Sequence, residues 1–426
     1  MTIRKDAVTL AVASLLASTG FAFADSNASN PTLSIAPDAS SIQAIDDATP
    51  PTPLMGLLEK TPVGKPMEDL GIKFGGYAEV GYTQAFEHRN GLTIPGRVFD
   101  SERYVSGEGG EHVQIDQVDL SVERDIVDRK KFDVGGKIEW SWGMDTYGYH
   151  ADGLDFYGNH DPGNPEEQFD LTQAYVDINI PVGNGLLIRA GKFITLIGYE
   201  YINPTLNPLY SHSFLFANAP FTHTGVLGNY VINDQWQVWG GITRGWDVST
   251  KDNNSAIDGT FQVVYTPNKQ WSFTLNGIVG PEDAGDDSHY RAEGDFITTY
   301  AATDKLSLGL ELLYVWDGAA FIGGFGDESD TAGAAVYASY AFNDYLTFNA
   351  RGEGVHTSDA SLLSPVSTSI YELTLGVTVT PLPKNQYLSS LKIRPEVRWD
   401  HSEDPLFRGF TSRDQETFGV DVIYSF

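Results

Sequence analysis

Two clusters hold side chains able to do chemistry. In YSHSF (210–214) and THTG (222–225), Ser211, His212, Ser213 and His223 are the residue types of a serine hydrolase. Nucleophilic catalysis needs a base within hydrogen-bond reach of the hydroxyl and a third group to orient it. Neighbours within one loop seldom meet that geometry, so no catalytic residues and no enzyme are expected. HADGLDFYGNHD (150–161) gathers His150, Asp152, Asp155, His160 and Asp161, and PEDAGDDSH (281–289) is acidic. Neither has the spacing of an EF-hand or a helical zinc site, so no metal site is expected. No Gly-rich phosphate loop follows a strand and opens a helix, and no cofactor is expected either.

A second set of charged residues is placed by strand periodicity. In 304–317, Leu306, Leu308, Leu310, Leu312, Tyr314 and Trp316 share one face, and Ser307, Gly309 and Glu311 the other. Around 343–356, Leu346, Phe348 and Ala350 oppose Thr347, Asn349, Arg351 and Glu353. In 391–400, Leu391, Ile393, Val397 and Trp399 oppose Lys392, Arg394, Glu396, Arg398 and Asp400. A dry sandwich core could not satisfy so many charges on one strand, whereas a wet lumen could. Alternation assigns Arg189, Arg291, Glu293, Arg351, Glu353, Lys392, Arg394 and Arg398 to the inner face.

The elements that carry these residues are strands. Sixteen strand-like runs follow residue 72, at 72–86, 112–125, 131–146, 167–181, 184–193, 221–233, 234–247, 255–267, 269–281, 287–303, 304–317, 330–342, 343–356, 368–382, 388–401 and 413–426. VINDQW, YTPNKQW, AATDKL and AFNDYL are tight hairpins, and long polar loops such as 281–289 and 318–330 alternate with them. Short turns on one side and long loops on the other is the asymmetry of outer-membrane barrels. Trp236, Trp271, Phe342, Tyr345, Tyr424 and Phe426 collect beside the short turns, as an aromatic girdle would. The expected fold is therefore all-β: a transmembrane antiparallel up-and-down barrel of about sixteen strands, with short periplasmic turns and long extracellular loops.

Composition agrees. The 426 residues include no cysteine, 44 glycines and 12% aromatics, with a net charge of −30. The mean hydropathy is −0.22, ordinary for a barrel that alternates lipid-facing and water-facing residues. A closed sheet needs no disulfides, and the acidity without a basic stripe argues against nucleic acid as a partner. No run approaches 18 consecutive apolar residues, so no transmembrane helix is expected. Residues 1–24 read as a signal peptide: Arg4 and Lys5, an apolar run over 7–18, and the cleavage site Ala22-Phe23-Ala24. Residues 25–70, rich in Ser, Pro, Ala and Asp, read as a disordered periplasmic segment with a short helical turn before the barrel at 71–426.

The stretch LTQAYVDINIPVGNGLLIRAGKFITLIGYEYINPTLNPLYSHSFLFANAPFTHTGVLGNYVINDQWQVWGGITRGWD (171–247), with VDLSVER (118–124) and FDVGGKIEW (132–140), resembles the OmpL-like beta-barrel porin family of Gram-negative outer membranes. So does GLLEKTP before the first strand, and the dense similarity covers roughly 70–250. The resemblance implies an outer-membrane channel, passive and open to small hydrophilic solutes or ions. Alternatives are a substrate-selective porin, for example for sugars, and a plugged barrel with a structural or adhesive role. In general diffusion porins the third long loop narrows the pore. Here that loop is 194–220, with Glu200 its one charge and many apolar residues, so it is expected inside the barrel. Glu200, Asn203, Asn207, Tyr210 and His212 would then face the inward charges across a gap, setting up a transverse field. The partners implied are outer-membrane lipid, lipopolysaccharide bridged to the acidic loops through divalent ions, and small solutes. The barrel-assembly machinery would read the last strand through Phe426, and porins of this size commonly form homotrimers.

Overall fold

The computed structural model describes residues 53–86, 113–151, 153, 168–251, 253–318, 328–358, 361 and 363–426. The signal-peptide reading, most of the 25–70 segment and most of the acidic loop 150–161 lie outside these residues. The end of that segment carries two short helices, α1 (Pro53–Leu58) and α2 (Gly64–Leu70), where a single helical turn was expected. Proline opens α1 at a position whose N–H has no intrahelical partner in any case.

The first eight strands are β1 (Ile72–Ala85), β2 (Val113–Arg124), β3 (Asp133–Gly143), β4 (Gln168–Ile180), β5 (Leu186–Ile194), β6 (Thr222–Asn233), β7 (Trp236–Thr243) and β8 (Asp258–Tyr265). The second eight are β9 (Trp271–Pro281), β10 (Tyr290–Ala301), β11 (Leu306–Asp317), β12 (Ser329–Asn343), β13 (Leu346–Thr357), β14 (Thr368–Val379), β15 (Lys392–Ser402) and β16 (Asp414–Ser425). Each expected run is a strand. They form one closed barrel in which consecutive strands pair and β16 returns to β1. At the closure Tyr77 faces Ser425 and Ala85 faces Thr417. Phe426 and Gly76 exchange backbone hydrogen bonds of 2.9 and 3.3 Å. The strand ladder thereby leaves no open edge, which a sheet within lipid requires.

Side chains alternate as the sequence implies. On β15, Val397 and Trp399 are exposed on the outer face while Arg398 and Asp400 are buried on the inner one. On β11, Leu308, Leu312 and Tyr314 are exposed and Glu311 and Asp317 buried. Ile423, the one residue of 417–426 that breaks the alternation of types, is fully buried inside. The short turns share a device: Asn233 and Asn268 each accept two backbone N–H bonds through Oδ1, at 2.9 and 3.1 Å. In each case the second donor is a tryptophan that starts the next strand. The side chain imitates a backbone turn and leaves the indole on the outer face. Trp236 stacks on Tyr265 at 4.3 Å and Trp271 on Tyr300 at 4.1 Å, so the girdle is continuous across β7 to β10. Among the described residues no helix is long and apolar enough to cross a membrane.

Candidate functional site

The third long loop runs over 195–221, between β5 and β6. Its own sequence fixes its turns. Asn203 Oδ1 accepts Thr205 N at 3.0 Å and opens the turn Pro204–Leu206. The Asn207 amide accepts from Tyr201 N and donates to Tyr201 O, at 2.9 and 2.7 Å. Ser213 Oγ accepts Phe216 N at the turn Phe216–Asn218. Gly198 sits at φ +96°, a backbone conformation that favours glycine.

Aimed into the barrel, the loop brings backbone N–H and C=O groups that must be paired. The wall does this with charges. Asp295 on β10 accepts Gly198 N at 3.0 Å and Glu311 on β11 accepts Tyr199 N at 3.1 Å. Glu353 on β13 accepts Phe214 N and Leu215 N at 2.7 and 3.3 Å, and Glu396 on β15 accepts Tyr210 N and Ser211 N at 2.8 and 3.1 Å. The guanidinium groups take the carbonyls. Arg351 donates to Ser211 O at 2.7 Å, Arg394 to Pro204 O and Asn207 O at 2.9 and 2.7 Å, and Arg398 to His212 O at 2.5 Å. Lys392 Nζ reaches Thr205 O at 3.2 Å. Tyr210 also donates its hydroxyl to Asp116 on β2 at 3.0 Å, and Gln262 on β8 donates to Leu196 O at 2.9 Å. The loop is thus held from several sides of the lumen.

Apolar contacts complete the seat. Phe214 and Leu215 are fully buried in a cluster with Ile297, Leu313, Val355 and Ile370. Burying side chains of this size stabilises by roughly 1.5–3 kcal/mol each. Tyr199 stacks on Tyr337 at 3.9 Å and lies over Gly309, where an added Cβ would come within 2.6 Å of its ring. Asp247, in the connection after β7, accepts Phe221 N and Thr222 N at 2.9 and 2.8 Å and ties down the loop's end. Burial pushes its carboxyl up to about 7.

The structure therefore brings Glu200, Asn203, Asn207, Tyr210 and His212 together with Arg351, Glu353, Lys392, Arg394 and Arg398, in direct contact rather than across a gap. Arg351 bonds Glu200 at 2.6 Å and Glu372 at 3.0 Å, and Arg394 bonds Asp421 and Glu79. This corrects the expectation that the charges of β15 face water: the loop backbone satisfies them. Arg189, Arg291 and Glu293 stand apart from the cluster. Arg291 pairs with Asp317 and lies over Trp246, and Glu293 is buried on β10. Of the residues weighed for catalysis, His223 has both ring nitrogens engaged, with Gly245 O at 2.9 Å and Thr195 Oγ1 at 3.1 Å. His212 stacks on Phe216.

Between the loop and the wall of β1–β5 lies a cavity of about 160 Å³. The strands contribute Lys73, Glu123, Lys137, Glu139 and Arg189, the connection after β2 Asp125, and the loop Leu196, Tyr201, Asn203 and Leu206. Lys73 Nζ is 2.5 Å from Asp125 and 3.9 Å from Glu123, and Lys137 is paired with Glu139. Arg189 makes two 2.9 Å bonds to Asp177 and covers the Tyr175 ring at 3.8 Å. Apart from Arg189, these wall charges were not singled out from the sequence. The signal was available, since Lys137, Glu139 and Ser141 alternate with Ile138 and Trp140 as on the later strands.

The family described as "Putative beta-barrel porin-2, OmpL-like" matches residues 71–426. The chain belongs to this family of porins. It is an outer-membrane β-barrel of a class that works as channels rather than enzymes. Solved structures agree on the fold. The outer-membrane channel DcaP of Acinetobacter baumannii is similar at 13% identity and TM-score 0.53, over 83% of this porin and 97% of that chain. The anion-selective porin from Comamonas acidovorans is 10% identical, with TM-score 0.52 over 83% and 99%. OmpT of Vibrio cholerae in its trimer form is 11% identical, with TM-score 0.54 over the same shares. No curated protein matches this porin.

Proposed function

We propose that this porin is a passive diffusion channel for small hydrophilic solutes or ions, narrowed by the loop 195–221. The observation that carries the reading is the lopsided seating of the loop. Against β10, β11, β13 and β15 it is bonded to the wall by many hydrogen bonds. Toward β1–β5 it touches the wall chiefly through Tyr210, bonded to Asp116 on β2, and beside that contact lies a cavity with charged walls. Solutes would pass on that side, close to the paired charges of β1–β3. A homotrimer is part of the proposal, supported by likeness to an outer membrane protein described in trimer form.

The deep burial of residues 209–216 favours a second reading, a plugged barrel with a structural or adhesive role. Single-channel recording in a planar bilayer under a salt gradient separates the two. Discrete current steps are expected, with a reversal potential that reports which sign of wall charge dominates. A barrel that inserts and passes no current would establish the plug.

A further inference from the structure

We propose that the cavity beside the third loop is a subsite for zwitterions bearing an aliphatic side chain, the chemistry of an apolar amino acid. This rests on the reading of the barrel as an open channel. The cavity has two unlike walls. On the strand side, Lys73, Glu123, Asp125, Lys137 and Glu139 place both signs of charge in already formed pairs. Lys73 is half exposed, and ion pairs open to water contribute little, so their partners exchange readily. A zwitterion can enter by exchange, its ammonium taking a carboxylate and its carboxylate taking the freed lysine. A solute of single charge would leave one wall group unpaired, and a neutral one gains nothing from the exchange.

On the loop side most lining residues are apolar, with Thr195, Glu200 and Asn203 among them, and Glu200 is already bonded to Arg351. Within 195–221 Leu206 alone is exposed, at 49%, and it lines this cavity next to Tyr201 and Ile202. Covering such a side chain with another aliphatic group removes both from water. Sugars are less well served, because half-buried Tyr201 is the one lining aromatic ring left partly open for stacking. Phe216, Phe221 and Trp239 are buried, and the Arg189 guanidinium already covers Tyr175. The cavity has room for several waters, which suits one amino acid rather than a chain.

The test is osmotic swelling of proteoliposomes holding the full protein, in isotonic L-valine, glycine or D-xylose. L-valine should enter about threefold faster than D-xylose, the scale set by partial burial of one aliphatic side chain. Leu206→Ser should bring the two rates together and leave glycine unchanged. Lys73→Met should slow L-valine and glycine but not D-xylose. Both are exposed positions, and heat-modifiable migration on gels confirms that each variant folds. Equal entry of L-valine and D-xylose in the parent protein would overturn the subsite while leaving the channel intact. Exclusion of every solute, together with absent ionic current, would overturn the channel reading and the subsite with it.

Discussion

Arg351 on β13 and Glu200 in the third loop, 151 positions apart in sequence, meet at 2.6 Å with both side chains buried. The same guanidinium bonds Glu372 and the Ser211 carbonyl. Removing one partner of a buried pair costs about 3–5 kcal/mol, because the other charge is left uncompensated. Arg351→Met should therefore lower thermal stability and loosen the loop, giving larger and noisier single-channel currents. Arg351→Lys, which keeps the charge but loses the fork, should fall between. Adding Glu200→Gln to Arg351→Met should recover part of the stability. Unchanged conductance and melting in Arg351→Met would show that the remaining anchors suffice.

Gly309 tests whether the wall is shaped for the loop. Its missing side chain is the seat of Tyr199, whose ring is also stacked on Tyr337. Gly309→Val should displace that ring at a cost of about 1–3 kcal/mol and expose residues 195–200 to proteases. Gly294→Ala, on the outer face with open space around it, is the control. Equal protease resistance in the two variants would refute a specific seat.

Asp247 gives the loop's end a pH dependence. Its folded pKa of about 7 stands above the ordinary value of 3.8, because burial penalises the charged form. The folded state then holds the extra proton, so its contribution is full below pH 3.8 and is lost as pH rises through about 7. Hydrogen exchange at Phe221 and Thr222 should speed up between pH 5 and 8.5 beyond the intrinsic chemical rate. Asp247→Asn keeps an oxygen acceptor for both amides and tolerates the φ of +50° at this site. It should abolish the excess, and an excess that survives in Asp247→Asn would place its source elsewhere.

Trp236 and Trp271 should report the membrane boundary. Both start strands at the short-turn rim, and bromine-labelled lipids should quench them best when the label lies near the headgroups. Replacing both by phenylalanine should remove that shallow component of the emission. Quenching mainly by deep labels would mean that the girdle lies elsewhere.

The barrel was legible in the sequence because period-2 alternation is local. Leu306 to Trp316 declare an outer face without knowing what lies across the lumen, and each Asn-initiated turn declares its own hairpin. The seat of the loop was not legible in the same way. Charges on β15 read as wet because alternation says only that they point inward, and water and a folded-in backbone satisfy an arginine equally well. That Arg394 meets Pro204 and Asn207 depends on how the barrel closes, and no local pattern carries this. The wall charges of β1–β3 follow from the same alternation, since Lys137 and Glu139 on β3 alternate with the outward Ile138 and Trp140.

The anchors of the third loop carry a consequence for the order of events during biogenesis. Its carboxylate and guanidinium partners on β13 and β15 lie 138 to 190 residues further along the chain. The loop cannot acquire its final bonds until those strands exist, and once β16 has zipped to β1 the interior is walled off. Capture of the loop must therefore coincide with curling of the second half of the sheet. Contacts of such long sequence separation make folding slow. A nascent barrel that closed too early would trap its own loop outside.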